Sequence, residues 1–398
     1  VSVARALPAA LAVAALTACA PALSPVDVPS PPEDRRQLSD SGVVEVADAP
    51  LALMSIDAQG AVGLLDLATG EQRHAGSVSP PLALAGDGRY GFVSTADGLE
   101  IIDSGRWTWI HGDHNHYYRG EPRVLGSLSG SGPATVTSGL LSTAGSAGVY
   151  FTDSGEGVLL DNAALADGDI VERFRIQTEA GPGLVAPLGE GALVTVGPEL
   201  VYYDATGTAT TTTAACTAAS GAITTPVGVL VGCAEGAVLG TWRSDGPILE
   251  HLPYPDGIAL EAAVEFEGRK GRPTVATLAS PNGLLLLNTR DRTWQYIETD
   301  VALDHVSAAA DAEGHVVTVD AAGHVRVYLA PTGEQVAATG PLTTDSERFR
   351  SLLLDDRHAY LADPTSGLVF EIDYADGARV ARTLETPTSP RFVTEVGR

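Results

Sequence analysis

The 398-residue sequence predicts an all-β chain, and within that class a β-propeller of about seven blades, or eight if some are short. Three observations carry this. Short runs rich in Val, Ile, Leu and Tyr are punctuated by Asp-Gly, Asn-Gly and Thr-Gly turn signals roughly every 8–12 residues. A strand–turn–strand text recurs from one end of the chain to the other. Helical periodicity is nearly absent: Ile258 to Glu267 is the one stretch that could carry it, and it lies between turn signals. A closed ring also explains how so long a chain avoids exposed sheet edges.

In chain order, residues 1–18 read as a secretory signal. Arg5 precedes the apolar run Ala6 to Ala15, too short for a comfortable transmembrane helix. The run ends in Leu16-Thr17-Ala18-Cys19, which resembles a bacterial lipobox, where cleavage leaves the cysteine first and lipid joins its sulfur and amine. Cys19 is therefore the expected lipidation site, and the mature protein is expected outside the cytoplasm, held to the cell membrane. An ordinary signal with a chance cysteine is the alternative. Val1 reads as an alternative start, and the Ala- and Gly-rich composition as that of a high-GC bacterium. Residues 19–45 read as a tether: Pro21, Pro25, Pro29, Pro31 and Pro32 stand among Ser, Asp and Glu with no periodicity that could bury a face. Such a coil spans on the order of 30 Å.

Residues 46–398 form the expected propeller domain. Leu51-Ala-Leu-Met-Ser-Ile-Asp57 and Gly60-Ala-Val-Gly-Leu-Leu-Asp66 are a strand, a tight turn and a second strand. The pattern returns as Val316-Val-Thr-Val-Asp320 with Gly323-His-Val-Arg-Val-Tyr328, and as Ala359-Tyr-Leu-Ala-Asp363 with Gly367-Leu-Val-Phe-Glu-Ile-Asp373. Dividing about 350 residues by a four-stranded unit of about 45–50 gives about seven blades. A strand near Val44 to Ala47 is expected to complete the last blade. The rival, two β-sandwiches, needs a linker near the middle. Thr208 to Thr213 is its candidate, and it is short and embedded.

The run His111-Gly112-Asp113-His114-Asn115-His116 holds three of the chain's nine histidines. Trp107-Thr-Trp109 alternates as a strand, Ile110 to Asp113 reads as a turn, and His114 to Tyr118 resumes. On an extended strand His114 and His116 project to one face, and Gly112 lets His111 fold back. Neutral imidazoles at three positions suit Zn2+ with one place left open, the pattern of a catalytic or transfer site. Asp113 can ligate directly or accept a histidine's second ring N–H. The competing reading is a histidine-bearing surface loop with no physiological metal. His74, His251, His305, His315, His324 and His358 stand alone and read as structural or merely exposed.

Charge and cysteine narrow the partners. With 24 Lys and Arg against 50 Asp and Glu, the net charge is −26, which excludes a nucleic-acid role and leaves membrane attachment to the lipid. Cys216 and Cys233 are the two cysteines besides Cys19, and export makes a disulfide between them the expectation. Ala222 to Thr225 and Val227 to Gly232 can form the hairpin that joins them. No Gly-x-Ser-x-Gly elbow, P-loop or dinucleotide fingerprint occurs, so no enzyme activity is expected.

Ile102-Asp103-Ser104-Gly105-Arg106-Trp107, leading into His111-Gly112-Asp113-His114-x-His116-Tyr117-Tyr118, resembles the AztD-type zinc metallochaperones, propeller proteins that work with zinc ABC importers. The resemblance extends through Phe151-Thr-Asp153, Val185-Ala-Pro187, Gly232-Cys233-Ala-Glu-Gly236 and Ala359 to Asp363. It implies a monomeric carrier that binds zinc and passes it to the importer's solute-binding protein. It also implies further histidines, ligands of a second and more buried metal site, where this chain reads Pro133-Ala-Thr135-Val, Gly181-Pro-Gly183 and Ser220-Gly221. By that comparison this chain keeps the exchange cluster alone. Two other readings remain: a propeller lipoprotein that scaffolds protein contacts, and a metallohydrolase with Asp113 or Glu121 as base.

Overall fold

The computed structural model describes residues 42–111, 114–258, 260, 265–279, 282–343 and 351–398. The signal, Cys19 and most of the tether lie outside these residues, as does part of the stretch 258–267 that could carry helical periodicity. Nearly every described element is a strand, paired with its sequence neighbour by a short turn. Aspartate builds many of these turns. Asp57 Oδ1 accepts from the amides of Gln59 and Ala61, and Asp320 Oδ1 from those of Ala322 and His324. At Gly323 the φ of +83° is open to glycine, and a Cβ there would strike the Thr343 carbonyl.

The strands assemble into eight radial sheets. Blade one joins the C-terminal strand Phe392–Val396 to Ala52–Ile56, Ala61–Asp66 and Gln72–Ser77. Blade two is Ala83–Gly86, Tyr90–Thr95, Gly98–Asp103 and Arg123–Ser129. Blades three to five run from Ala134 to Gln177, Val185 to Ala215 and Ser220 to Pro253. Blade six has Thr274–Ala279, Gly283–Asn288 and Thr293–Glu298, with Glu267 bridging Ala276 on the inner side. Blades seven and eight run from Leu303 to Pro341 and from Leu352 to Glu385. Of the two expected counts, about seven blades or eight if some are short, the described strands give eight, because blades such as Val185 to Ala215 are short. One correction concerns closure. The last strand, Phe392–Val396, completes a blade by pairing with Ala52–Ile56, whereas Val44–Val46 pairs elsewhere.

Burial follows from this packing. Strands in mid-blade are covered on both faces, so Ala52–Ile56 and Val229–Cys233 are buried throughout. The outermost strand of blade four, Ala209–Ala215, alternates between half-buried and exposed. It contains the threonine run, so the two-sandwich alternative is excluded. The apolar core is divided among the seams between consecutive blades. Leu53, Tyr360 and Val393 fill the seam of blades eight and one, and Leu230, Leu239 and Val275 that of five and six. Cys216 and Cys233 are bridged, with Cα atoms 4.9 Å apart, inside the seam of blades four and five. The hairpin Ser220–Thr224 with Val229–Cys233 brings them together as expected. One short helix, Asn162–Asp167, has no counterpart in the sequence reading. Asp161 caps its first amides and Gly168, at φ +97°, ends it.

Candidate metal centre

The histidine cluster sits on a hairpin inserted between the third and fourth strands of blade two. Its strands are Arg106–His111 and His114–Arg119. A third strand, Val44–Val46, lies along the outer edge of His114–Arg119 in the register Val44 with Arg119, Glu45 with Tyr118 and Val46 with Tyr117. Residues opposite each other in an antiparallel pair share a face. The register sets Trp107 against Tyr118, Trp109 against His116 and His111 against His114. Gly112 and Asp113, and the side chain of His111, lie outside the described residues.

The hairpin is fastened at its base. Arg106 Nη1 donates to Asp66 Oδ2 at 2.7 Å and to the Pro50 carbonyl at 3.1 Å, and both ion-pair side chains are buried. Arg89 forks onto Asp103 at 3.0 and 2.9 Å, also buried, and its guanidinium lies 4.0 Å from the Trp107 ring centroid. Stacking then runs outward. Trp107 stacks on Tyr118 at 5.2 Å, Tyr118 faces His116 at 6.4 Å, and His116 stacks on Trp109 at 5.1 Å. The column holds His116 in a defined orientation at a solvent-facing site.

At its end two imidazoles meet. His114 Nε2 and His116 Nε2 are 3.0 Å apart. Two zinc–nitrogen bonds of 2.0–2.1 Å at the tetrahedral angle put the nitrogens about 3.3 Å apart. A shift of a few tenths of an ångström therefore turns this pair into two ligands of one ion. On the far side of His116, Nδ1 lies 2.7 Å from Glu45 Oε1. A carboxylate there accepts a hydrogen bond from Nδ1–H and leaves the Nε2 lone pair for a metal, the usual outer-shell arrangement around a ligating histidine. Among the described residues no three metal-binding side chains converge on one point. The expected third and fourth donors, His111 and Asp113, are not among the side chains described.

Sequence reasoning singled out His114 and His116, whose rings meet in the structure, but not Glu45. Glu45 lies 71 positions from its partner, in the stretch read as tether. The period-two text of Trp107, Trp109 and His114, His116, Tyr118 was a usable signal for the aromatic column. Two of the lone histidines have structural partners: His315 Nδ1 meets Asp311 at 2.6 Å, and His324 Nδ1 meets Asp320 at 3.1 Å.

No family model matches the sequence. Solved structures do resemble it. The crystal structure of AztD from Citrobacter koseri is 18% identical, with 87% of this chain and 98% of that chain covered at a TM-score of 0.75. The fold is that of AztD. The apo structure of the same protein gives the same coverage at a TM-score of 0.74. The dihydro-heme d1 dehydrogenase NirN is similar more distantly, at 16% identity and a TM-score of 0.57 over 88% of this chain and 76% of that one.

The positions at which the AztD resemblance implies extra histidines converge in space. Thr135, Gly181, Gly183 and Ser220 line one cavity of about 670 Å³, together with Asp153 and Glu267. This cavity opens where the inner strands begin, for example before Ala134 and Val185. The histidine hairpin leaves from the opposite end of the ring, where inner and third strands finish. Among the described residues the cavity lining has hydroxyls, glycines, carboxylates and apolar side chains and no imidazole or thiolate. Glu267 is enclosed by the ring walls yet faces water in the cavity; enclosure and the neighbouring Glu265 charge push its carboxyl up to about 7. Zinc prefers nitrogen and sulfur donors, and among the described residues this lining offers none from a side chain.

Proposed function

We propose that this protein is a zinc carrier that binds the ion through His114 and His116, with His111 as the third ligand and Asp113 beside it, and hands it to the solute-binding protein of a zinc ABC importer. The observation that carries the reading is the pair of Nε2 atoms 3.0 Å apart, one of whose rings is backed by Glu45. Zinc here is cargo, not a cofactor. Two imidazoles at a solvent-facing hairpin leave coordination positions open, so a receiving protein can add a ligand before the carrier releases one. A closed structural site would forbid that exchange. The likeness to AztD supports the same reading at the level of fold.

The carrier works outside the cytoplasm, tethered through lipid on Cys19; the lipobox text Leu16-Thr17-Ala18-Cys19 supports this. Two or more acyl chains are needed for stable attachment where one is marginal. Labelled palmitate should enter the wild type and not Cys19→Ser; equal labelling would end the lipoprotein reading. Transfer is tested by mixing the zinc-loaded protein with the solute-binding protein of a zinc importer from the same genome and following the metal. Movement of zinc to the acceptor supports the relay, and retention makes the hairpin a store.

A further inference from the structure

The hairpin and the strand beside it are held very differently. Arg106–His111 and His114–Arg119 are fastened by the buried Arg106–Asp66 and Arg89–Asp103 pairs. Val44–Val46 is a three-residue edge strand paired along one side, to His114–Arg119. Its burial pattern is exposed, exposed, half-buried, and Val44 is 55% exposed. A strand this short contributes few ladder bonds and almost no apolar burial, so it sits at the low-stability end of the molecule. Yet it carries Glu45, whose carboxylate reaches His116 Nδ1 at 2.7 Å. In the chain after it, the Pro50 carbonyl accepts from Arg106 Nη1.

We propose that the edge strand Val44–Val46 is a detachable clamp on the metal-binding hairpin, and that its docking sets how tightly zinc is held and how fast it leaves. The inference rests on the zinc reading above and names how that site is regulated. Docked, the strand presents Glu45 to His116, fixes the Nδ1–H tautomer and makes Nε2 a better donor. Undocked, it removes the carboxylate while the hairpin keeps its shape, because the hairpin's buried ion pairs do not involve the strand. An extended segment of the receiving protein can add to the same sheet edge once Val44–Val46 has left it, and zinc loosens as the receiver arrives. Glu45 is thus a positioning residue, acting on zinc through His116.

Two variants of the full mature chain test this. Glu45→Gln keeps the strand and removes the carboxylate charge. Zinc affinity should fall 10- to 100-fold, the usual effect of losing an outer-shell partner. The nitrogen-15 resonances of the His116 ring should change from one Nδ1–H tautomer to a mixture, which a merely structural role would not produce. The second variant, Val46→Cys/Tyr117→Cys, locks the strand through a register pair on the other face of the sheet. Oxidised, it should release zinc to a chromogenic chelator at least tenfold more slowly than when reduced. If Glu45→Gln binds zinc as the wild type does, or the locked form releases it at the reduced form's rate, the clamp is refuted. Failure of the zinc reading is separate: it shows as a His114→Ala/His116→Ala variant that binds like the wild type.

Discussion

Replacing Arg106 by methionine perturbs the base of the hairpin at a site where structure fixes the size of the effect. The guanidinium and the Asp66 carboxylate are 3% and 6% exposed, and 2.7 Å apart. Removing one partner of such a pair leaves a buried charge and costs about 3–5 kcal/mol. Arg119 Nη1, 3.7 Å from the same oxygen, offers partial compensation and points to the lower end. The Asp66 carboxyl gives an independent figure. Burial alone would raise its pKa, but Arg106 and the Thr69 amide outweigh it and bring the value from 3.8 down to about 2. A shift of roughly two units is worth about 2–3 kcal/mol, in agreement. Burial pulls Arg106 below its ordinary value, opposite in sense, but a guanidinium stays charged at any pH where the protein folds, so the pH dependence belongs to Asp66. A depressed carboxylate stabilises fully above its unfolded pKa, and that stability is lost as pH falls through about 2. Urea denaturation should therefore show Arg106→Met about 3 kcal/mol less stable at pH 7, with the gap narrowing toward pH 3. A loss under about 1 kcal/mol, or a gap unchanged with pH, would refute the assignment of this pair as the hairpin's anchor.

Two further outcomes follow from the ring itself. Cys216→Ala/Cys233→Ala opens a loop of sequence separation 17, and should lower stability by about 3 kcal/mol in the chain-entropy model, read from urea midpoints; midpoints equal to the wild type's would contradict it. Burial pushes the Glu395 carboxyl on the closing strand up to about 7 despite Arg398, and its Oε1 has no hydrogen-bond partner. A raised carboxyl pKa means that the folded state holds the proton, so stability falls as pH rises from about 4.5 through about 7. Glu395→Gln should thus gain on the order of 2–3 kcal/mol over the wild type at pH 8 and little at pH 4.5, and a gap equal at both values rules this out.

Local text made much of this molecule legible. Strand runs with aspartate turns at Asp57 and Asp320 announced hairpins, and repetition announced a ring. The alternation around Trp107 and His116 fixed which side chains share a face, because a strand's period is two whatever its surroundings. The disulfide was legible for the same reason, since its hairpin is local. What escaped depends on contacts between distant positions. Glu45 reaches His116, Asp66 reaches Arg106 across 40 positions, and Phe392–Val396 closes on Ala52–Ile56. No periodicity encodes such pairings. Val44–Val46 looks like any closing strand until Phe392–Val396 occupies the place. The blade count stayed between seven and eight in the sequence because turn lengths vary, and a mean repeat of about 45–50 residues overstates blade four. The cavity escaped because Thr135, Gly181 and Ser220 begin three different blades.

The proposed carrier requires His114 and His116 to share one ion. Calorimetry of the mature protein with zinc at pH 7, against the His114→Ala/His116→Ala variant, tests it most directly. The wild type should bind about one equivalent, because among the described residues the cavity across the ring offers no imidazole, and the double variant should lose that binding. A double variant that binds zinc with wild-type affinity and stoichiometry would contradict the account.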